Sequence, residues 1–160
     1  MTAAAIRAEA VEVLVAGSVA SLASSLALLV CGKLENGRAL ATHNGPSQWV
    51  HGTAAGHVRS VSLRYTLTGA VIHHASACWW AGVYRAIFRQ PPPVDTMVAH
   101  LGRGAVVAVL ANIVDYGLMP ERFQPGFDKH VSRPSLAVTY AAFGLGLGLA
   151  AYWRRSAGLR

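Results

Sequence analysis

Two adjacent histidines, His73 and His74, lie inside an apolar stretch of this sequence, VIHHASACWW. An imidazole can exchange hydrogen bonds, bind a metal ion or relay a proton near neutral pH. Neighbouring residues of a helix point about 100° apart, so one metal ion cannot easily use both side chains. We therefore expect one histidine to face other helices and the other to contribute little. The small residues that share the helical stripe of His73 favour His73 as the inward one.

The inward histidine has either a structural or a functional role. A structural imidazole would hydrogen-bond to Asn112 or to a polar group of the first or fourth apolar segment, whereas a functional one would be a ligand or a proton relay. His74 stands four positions before Cys78, which gives half of a soft-metal site, but two ligands do not make a site. Haem held by His74 and His100 is disfavoured, because the two ligands would differ by about 12 Å in depth.

An acidic residue, Asp115, falls in the last turn expected for the third apolar segment. A carboxylate at the carboxyl end of a helix opposes the helix dipole, so it should have a cationic partner. Arg64 begins the second segment at nearly the same depth, and Asn112 lies one turn deeper than Asp115. The sequence predicts an ion pair between Asp115 and Arg64 at the membrane surface. The alternative is an access site for ions or protons.

Arg103 lies deep in the third segment, where a guanidinium needs a partner. Trp79 and Trp80 are expected at about the same depth, and a desolvated cation–π contact is worth about 2 kcal/mol. Glu12, near the start of the first segment, is the competing partner. His100 shares the face of Arg103, because three positions separate them.

Four further histidines lie in the polar stretches between the segments: His43, His51, His57 and His130. Four imidazoles on one side of a membrane could bind a metal ion, but their spacing matches no compact ligand pattern. We expect them to be solvated, and we predict no cofactor for the chain.

The elements that must position all of these residues are apolar helices. The 160 residues are 53% hydrophobic and only 13% charged, whereas a soluble domain carries about 25% charged residues. The deficit is concentrated in four runs that approach the roughly 20 apolar residues needed to cross a bilayer. We predict one all-α domain, residues 1–160, that forms a bundle of four transmembrane helices at about 13–31, 63–88, 94–118 and 135–153.

Four spans would put both chain ends on one side of the membrane, here called side A, together with the 89–93 loop. The 32–62 and 119–134 loops would lie on the opposite side, side B. Basic residues are nearly evenly divided between the two sides, so the positive-inside rule decides little. The pair Arg154 and Arg155, next to the last span, favours side A as cytoplasmic.

Small residues recur every four positions in the first and last segments, as Gly17, Ser21 and Ser25 and as Gly144 and Gly148. In lipid such faces let helices approach closely, either within one bundle or between copies in a homo-oligomer or larger complex. The formal charge of +7 lies mostly at segment ends, where it suits anionic lipid headgroups. We expect the lipid bilayer as a partner and no nucleic acid.

Three fragments, NGPSQW, LRYTLTGAVIHHAS and VDYGLMPERFQPGF, resemble an uncharacterised family of small bacterial membrane proteins with four spans. The likeness covers roughly half of the chain. It implies a multi-pass protein of the bacterial inner (plasma) membrane. It implies no activity, since none is known for the family.

Three functions are compatible with these features. The first is a structural or accessory subunit, which the small-residue faces favour. The second is a small transporter or channel for protons or ions, which the intramembrane His73, His74, Asp115 and Arg103 favour. The third is a metal- or haem-binding redox protein, favoured by the histidine count alone. The sequence contains neither G-x-S-x-G, nor H-E-x-x-H, nor a phosphate-binding loop, so it predicts no recognised enzyme class.

Overall fold

The computed structural model describes residues 2–156, which fold almost entirely into helices. The protein is 82% helical, and its described residues contain no strand. The helices are α1 (Ala3–Asn36), the single turn α2 (Gln48–His51), α3 (Thr68–Ile87), α4 (Met97–Ile113) and α5 (Arg133–Ser156). Wider π-helical turns precede α3 at Leu63–Leu67 and extend α4 at Val114–Leu118. The prediction of an all-α chain is confirmed.

Three helical stretches are long and apolar enough to cross a membrane: Ile6–Asn36, Met97–Leu118 and Arg133–Ser156. They contain the first, third and fourth predicted segments. The second predicted segment, 63–88, is also helical, but it is not among the three. Its two histidines and the arginines near its ends, Arg64 and Arg85, lower its hydropathy. The structure therefore supports a helical membrane protein with three candidate spans, and the predicted fourth span is not shown.

The first helix is longer than the predicted 13–31 at both ends. Gly37 follows it with φ +74°, a left-handed conformation that commonly terminates helices. Polar contacts hold both extensions against the bundle. At one end Glu9 pairs with Arg85 of α3 at 2.8 Å, and at the other Glu35 accepts a hydrogen bond from the Ser132 amide at 2.8 Å.

Small residues allow the long helices to approach each other closely. A Cβ atom on Gly17 of α1 would lie 2.5 Å from Cα of Cys78 in α3, and one on Gly148 of α5 would lie 2.7 Å from the His100 carbonyl oxygen in α4. The predicted small-residue faces are thus used inside the bundle, where α1 packs against α3 and α5, and α5 packs against α4. In contrast, α3 and α4 touch little and leave a crevice between them.

The connections on side B pack together into a compact layer rather than forming solvated loops. This side-B cap consists of residues 37–62 and 119–132 and contains short 3-10 turns at Leu40–Ser47, Thr53–His57, Glu121–Phe123 and Phe127–Lys129. The amide of Asn44 donates to the Val58 and Ser60 carbonyls at 2.7 and 2.9 Å. The fully buried Gln48 donates to the carbonyl of Gln124 at 2.7 Å and so joins the two halves of the cap.

Candidate functional site

A cavity lies in the side-B half of the crevice between α3 and α4, beneath the cap. It offers about 50 Å³ of space that a water molecule can reach, which is more than the roughly 10–15 Å³ that one water requires. Its walls are mostly apolar and aromatic, as is usual for ligand-binding pockets. Polar side chains reach it from α1, α3, α5 and the π-helical end of α4, namely Ser24, His73, Asp115, Thr139 and Tyr140. We call it the His73 cavity.

His73 faces the interior of the bundle, in the direction that its stripe of small residues predicts. Its Nε2 lies 3.0 Å from Oγ of Ser24 on α1. The same Ser24 hydroxyl donates to the Ala20 carbonyl at 2.8 Å, so its oxygen is left to accept a hydrogen bond from Nε2–H of His73. The ring also packs edge-on against Phe127 of the cap, with centroids 5.3 Å apart. The partner is therefore a polar group of the first segment, one of the predicted options, and Asn112 is not involved.

Asp115 reaches the same cavity from the π-helical turn that extends α4. It accepts a 2.6 Å hydrogen bond from the Tyr140 hydroxyl of α5. The predicted ion pair with Arg64 is wrong, because Arg64 is exposed and lies over the ring of Tyr65, 5.3 Å from its centroid. Counting residues along each helix places Arg64 and Asp115 at the same depth. The crevice between α3 and α4 nevertheless separates the two side chains. Within residues 2–156, Asp115 has no cationic partner.

His74 lies on the outer face of α3, whereas Cys78 is partly buried against Gly17 of α1. His74 is exposed, and its Nε2 lies 3.8 Å from the Cys78 sulfur, a weak contact. No group of three His, Cys, Asp or Glu side chains in the described part of the chain could hold a metal ion. His100 lies at the other end of the bundle beside Asp95, so it does not meet His74.

The cap histidines are not the solvated group that the sequence suggests. His43 is buried, with its Nε2 3.0 Å from Oγ of Ser25, and burial lowers its pKa. His130 is also buried and donates from Nε2 to the Gly56 carbonyl at 2.8 Å. Burial lowers the pKa of His130 to about 4, although the hydrogen bond to Gly56 works in the opposite direction. Of the four, His57 alone is fully exposed.

Arg103 makes neither of the contacts predicted for it. Its Nη1 donates to the Gln90 carbonyl at 2.7 Å, and its guanidinium lies 4.9 Å from the centroid of the Phe88 ring. Trp79 instead points outward with 71% of its surface exposed. Glu12 instead forms ion pairs with Arg85 and Arg154. Both contacts of Arg103 are therefore with the chain segment that follows α3.

Sequence reasoning missed several residues of the cavity wall. The sequence does not predict a role for Ser24, because the repeat of small residues every four positions includes Ser21 and Ser25 but not Ser24. Tyr140 and Phe127 gave no signal, since a lone tyrosine in an apolar helix and an aromatic residue in a loop are both common. Only the fold of the cap brings Phe127 over His73.

Comparison with known proteins assigns neither a family nor a function to this site. Neither a family model, nor a curated protein, nor a solved structure matches the chain. The resemblance to uncharacterised four-span membrane proteins of bacteria stays a prediction.

Proposed function

We propose that α3 is a fourth membrane span and that the protein is a four-span bundle of the bacterial inner membrane. The ends of α1 and α5 support this topology, because Arg154 of α5 contacts Glu12 of α1 at 3.3 Å. Two chain ends on the same side of a membrane require an even number of crossings. The outward face of α3 is also apolar, with Val71 59% and Trp79 71% exposed. Such a face suits lipid.

We further propose that the bundle moves protons or small cations through the His73 cavity. The observation that carries this proposal is that two ionisable side chains, His73 and Asp115, line one cavity within the bundle. Ionisable groups at membrane depth are costly and usually mark ion or proton pathways. Asp115 has a hydrogen-bond donor in Tyr140 but no cationic partner among residues 2–156, so an arriving proton or cation would supply the missing positive charge.

A route for protons from side B is also supported by the contacts around His73. The ring of His43 from the cap lies edge-on to the His73 ring, with centroids 5.9 Å apart. His43 contacts Ser25 and His73 contacts the adjacent Ser24. Water in the cavity would link His73 to Asp115. These groups together form a polar cluster that extends from the cap into the His73 cavity.

A structural or accessory role is the second candidate, and the His73–Ser24 hydrogen bond favours it. Interhelical hydrogen bonds of this kind stabilise membrane bundles without any transport. In that case the bilayer, further copies of the chain or a larger complex are the only partners needed, and nucleic acid is not expected. The described residues offer no three-ligand metal site, so we propose no redox or haem function.

Proton flux into proteoliposomes separates the two candidates. Substituting His73→Ala should reduce flux by at least tenfold, because the imidazole at the cavity wall is lost. The matched control is His74→Ala, which removes an exposed imidazole from the adjacent position and should leave flux within about twofold of the wild type. Wild-type protein without flux above empty liposomes would refute transport and leave the structural role.

A further inference from the structure

A second, larger cavity lies at the side-A end of the bundle, between the third and fourth turns of α1, the first turns of α4 and the last turns of α3 and α5. It offers about 300 Å³ of space that a water molecule can reach, a volume typical of small-ligand pockets. We call it the basic cavity, because five arginines line it: Arg85, Arg89, Arg103, Arg154 and Arg155. It does not include His73 or Asp115 and does not depend on transport.

The carboxylates around this cavity do not neutralise its arginines. Arg85 pairs with Glu9 and Glu12, Arg154 shares Glu12, and Arg155 pairs with Asp95. Five guanidinium groups therefore face three carboxylates, which leaves an excess of two positive charges before His100 is considered.

Two of the arginines carry this excess. Within residues 2–156, neither Arg89 nor Arg103 has a carboxylate partner. Arg103 uses Nη1 for the Gln90 carbonyl, and its remaining N–H groups are free of carboxylates. Guanidinium groups in such a position bind phosphate in a planar, bidentate way that few other side chains match.

Two buried polar atoms of the same wall lack a hydrogen-bond partner in the described part of the chain. They are Oη of Tyr84, a residue only 9% exposed, and Nδ1 of His100, a residue 4% exposed. Leaving a buried polar group unsatisfied costs about 1–3 kcal/mol. Both residues line the basic cavity. A polar ligand in the cavity would satisfy them.

The hydrogen-bonding chemistry of these two atoms limits the class of ligand that the cavity can bind. The Tyr84 hydroxyl can donate to an anion. Nε2 of His100 lies 2.8 Å from the Asp95 carboxylate and donates to it, so Nδ1 is left to accept a hydrogen bond from a ligand hydroxyl. A hydroxyl donor and an imidazole acceptor beside Arg89 and Arg103 suit a phosphate that is partly protonated near neutral pH.

We propose that the basic cavity binds a terminal phosphate group, one that carries at most a single ester bond, with Arg89 and Arg103 as its charged ligands and Tyr84 and His100 as its hydrogen-bonding partners. This chemistry is shared by free inorganic phosphate and by the headgroup of phosphatidic acid. The cavity wall also includes the apolar side chains of Val13 and Phe88, which suit contact with an acyl chain.

Calorimetric titration of the purified full-length protein in a neutral detergent tests this site. The two probes are inorganic phosphate and short-chain phosphatidic acid, and short-chain phosphatidylcholine is the diester control. We expect phosphatidic acid to bind and phosphatidylcholine to bind at least tenfold more weakly. Phosphate binding as tightly as phosphatidic acid would also support the site and would identify a free anion as the ligand. Binding of neither phosphate nor phosphatidic acid would overturn the proposal.

Variants locate the binding. Arg103→Gln should weaken binding about tenfold, since a hydrogen bond to a charged group is lost. If that variant fails to fold, Arg89→Gln gives the same test from the end of α3. The control is Arg64→Gln, which removes an exposed arginine on side B and should leave the affinity unchanged.

Tyr84→Phe should weaken binding severalfold while leaving the thermal stability of the free protein unchanged or higher. Equal losses of affinity in Arg64→Gln and Arg103→Gln would refute the assignment.

Discussion

At the scale of single residues, the two ionisable side chains of the His73 cavity are each held by another helix, since His73 contacts Ser24 of α1 and Asp115 accepts from Tyr140 of α5. The helical period of small residues points His73 toward the bundle, and its partner Ser24 lies on the neighbouring α1. The partner of Asp115 could not be predicted in the same way. Depth along a helix can be counted from the sequence, and it brings Arg64 level with Asp115. The lateral distance between α3 and α4 depends on side-chain packing throughout the bundle, and no local pattern encodes it.

A double-mutant cycle tests the partner of Asp115. Tyr140→Phe removes the donor of their 2.6 Å hydrogen bond, and Asp115→Asn replaces the carboxylate acceptor with a weaker, neutral amide oxygen, so the two changes should be coupled by about 1 kcal/mol in the free energy of unfolding. Asp115→Asn and Arg64→Gln should be additive within about 0.5 kcal/mol, because these residues do not touch. Reversible unfolding in mixed detergent micelles provides the measurement. Coupling to Arg64 and additivity with Tyr140 would contradict the structure.

At the scale of elements, the helices follow from the sequence and the side-B cap does not. Apolar runs and their flanking charges predict most ends of the long helices to within a few residues. The 32–62 stretch gives no periodic signal, because its short turns are held by contacts with the distant 119–132 stretch. Gly45, for example, lies so close to Gly126 that a Cβ atom on Gly45 would be 2.7 Å from the Gly126 carbonyl. Such a pairing of two loops is a tertiary property, so the buried state of His43 and His130 could not be predicted.

The cap should lose stability in mild acid. The pKa of His130 falls from 6.5 to about 4 on burial, so the unfolded chain binds this proton more readily than the folded one. The resulting stabilisation is present above pH 6.5 and is lost as the pH falls toward 4, by an amount on the order of 2–3 kcal/mol. His43 acts in the same direction. Thermal unfolding between pH 7.5 and 4 measures the effect, with the pH range scanned in steps of about 0.5.

Two variants identify the histidine responsible. His130→Gln removes the titrating group and should flatten the pH dependence, even if its stability at neutral pH is lower. His57→Gln, which changes an exposed histidine of the same cap, should keep the wild-type slope. An unchanged slope in His130→Gln would show that other groups cause any acid sensitivity.

At the scale of the whole molecule, the hydropathy of single helices and the arrangement of the helices in the bundle give different numbers of membrane crossings. Hydropathy and length select three helices, whereas the arrangement of the bundle favours four. The difference lies in α3, whose interior histidine and flanking arginines reduce its apolar character while its outward face stays apolar. A helix whose polar residues face protein can cross a bilayer with a modest mean hydropathy.

Accessibility labelling distinguishes the two topologies. With four crossings, single cysteines placed at Thr2, at Pro92 and at a C-terminal extension should all react from one membrane face, and a cysteine at Arg122 should react from the other. With three crossings and α3 on the surface, the N-terminal and C-terminal sites would react from opposite faces. Cys31 and Cys78 are first replaced by serine and alanine so that only the introduced thiol is labelled. The contact between Glu12 and Arg154 makes opposite labelling incompatible with the bundle, so that result would overturn both the fourth span and the side assignment of the two cavities.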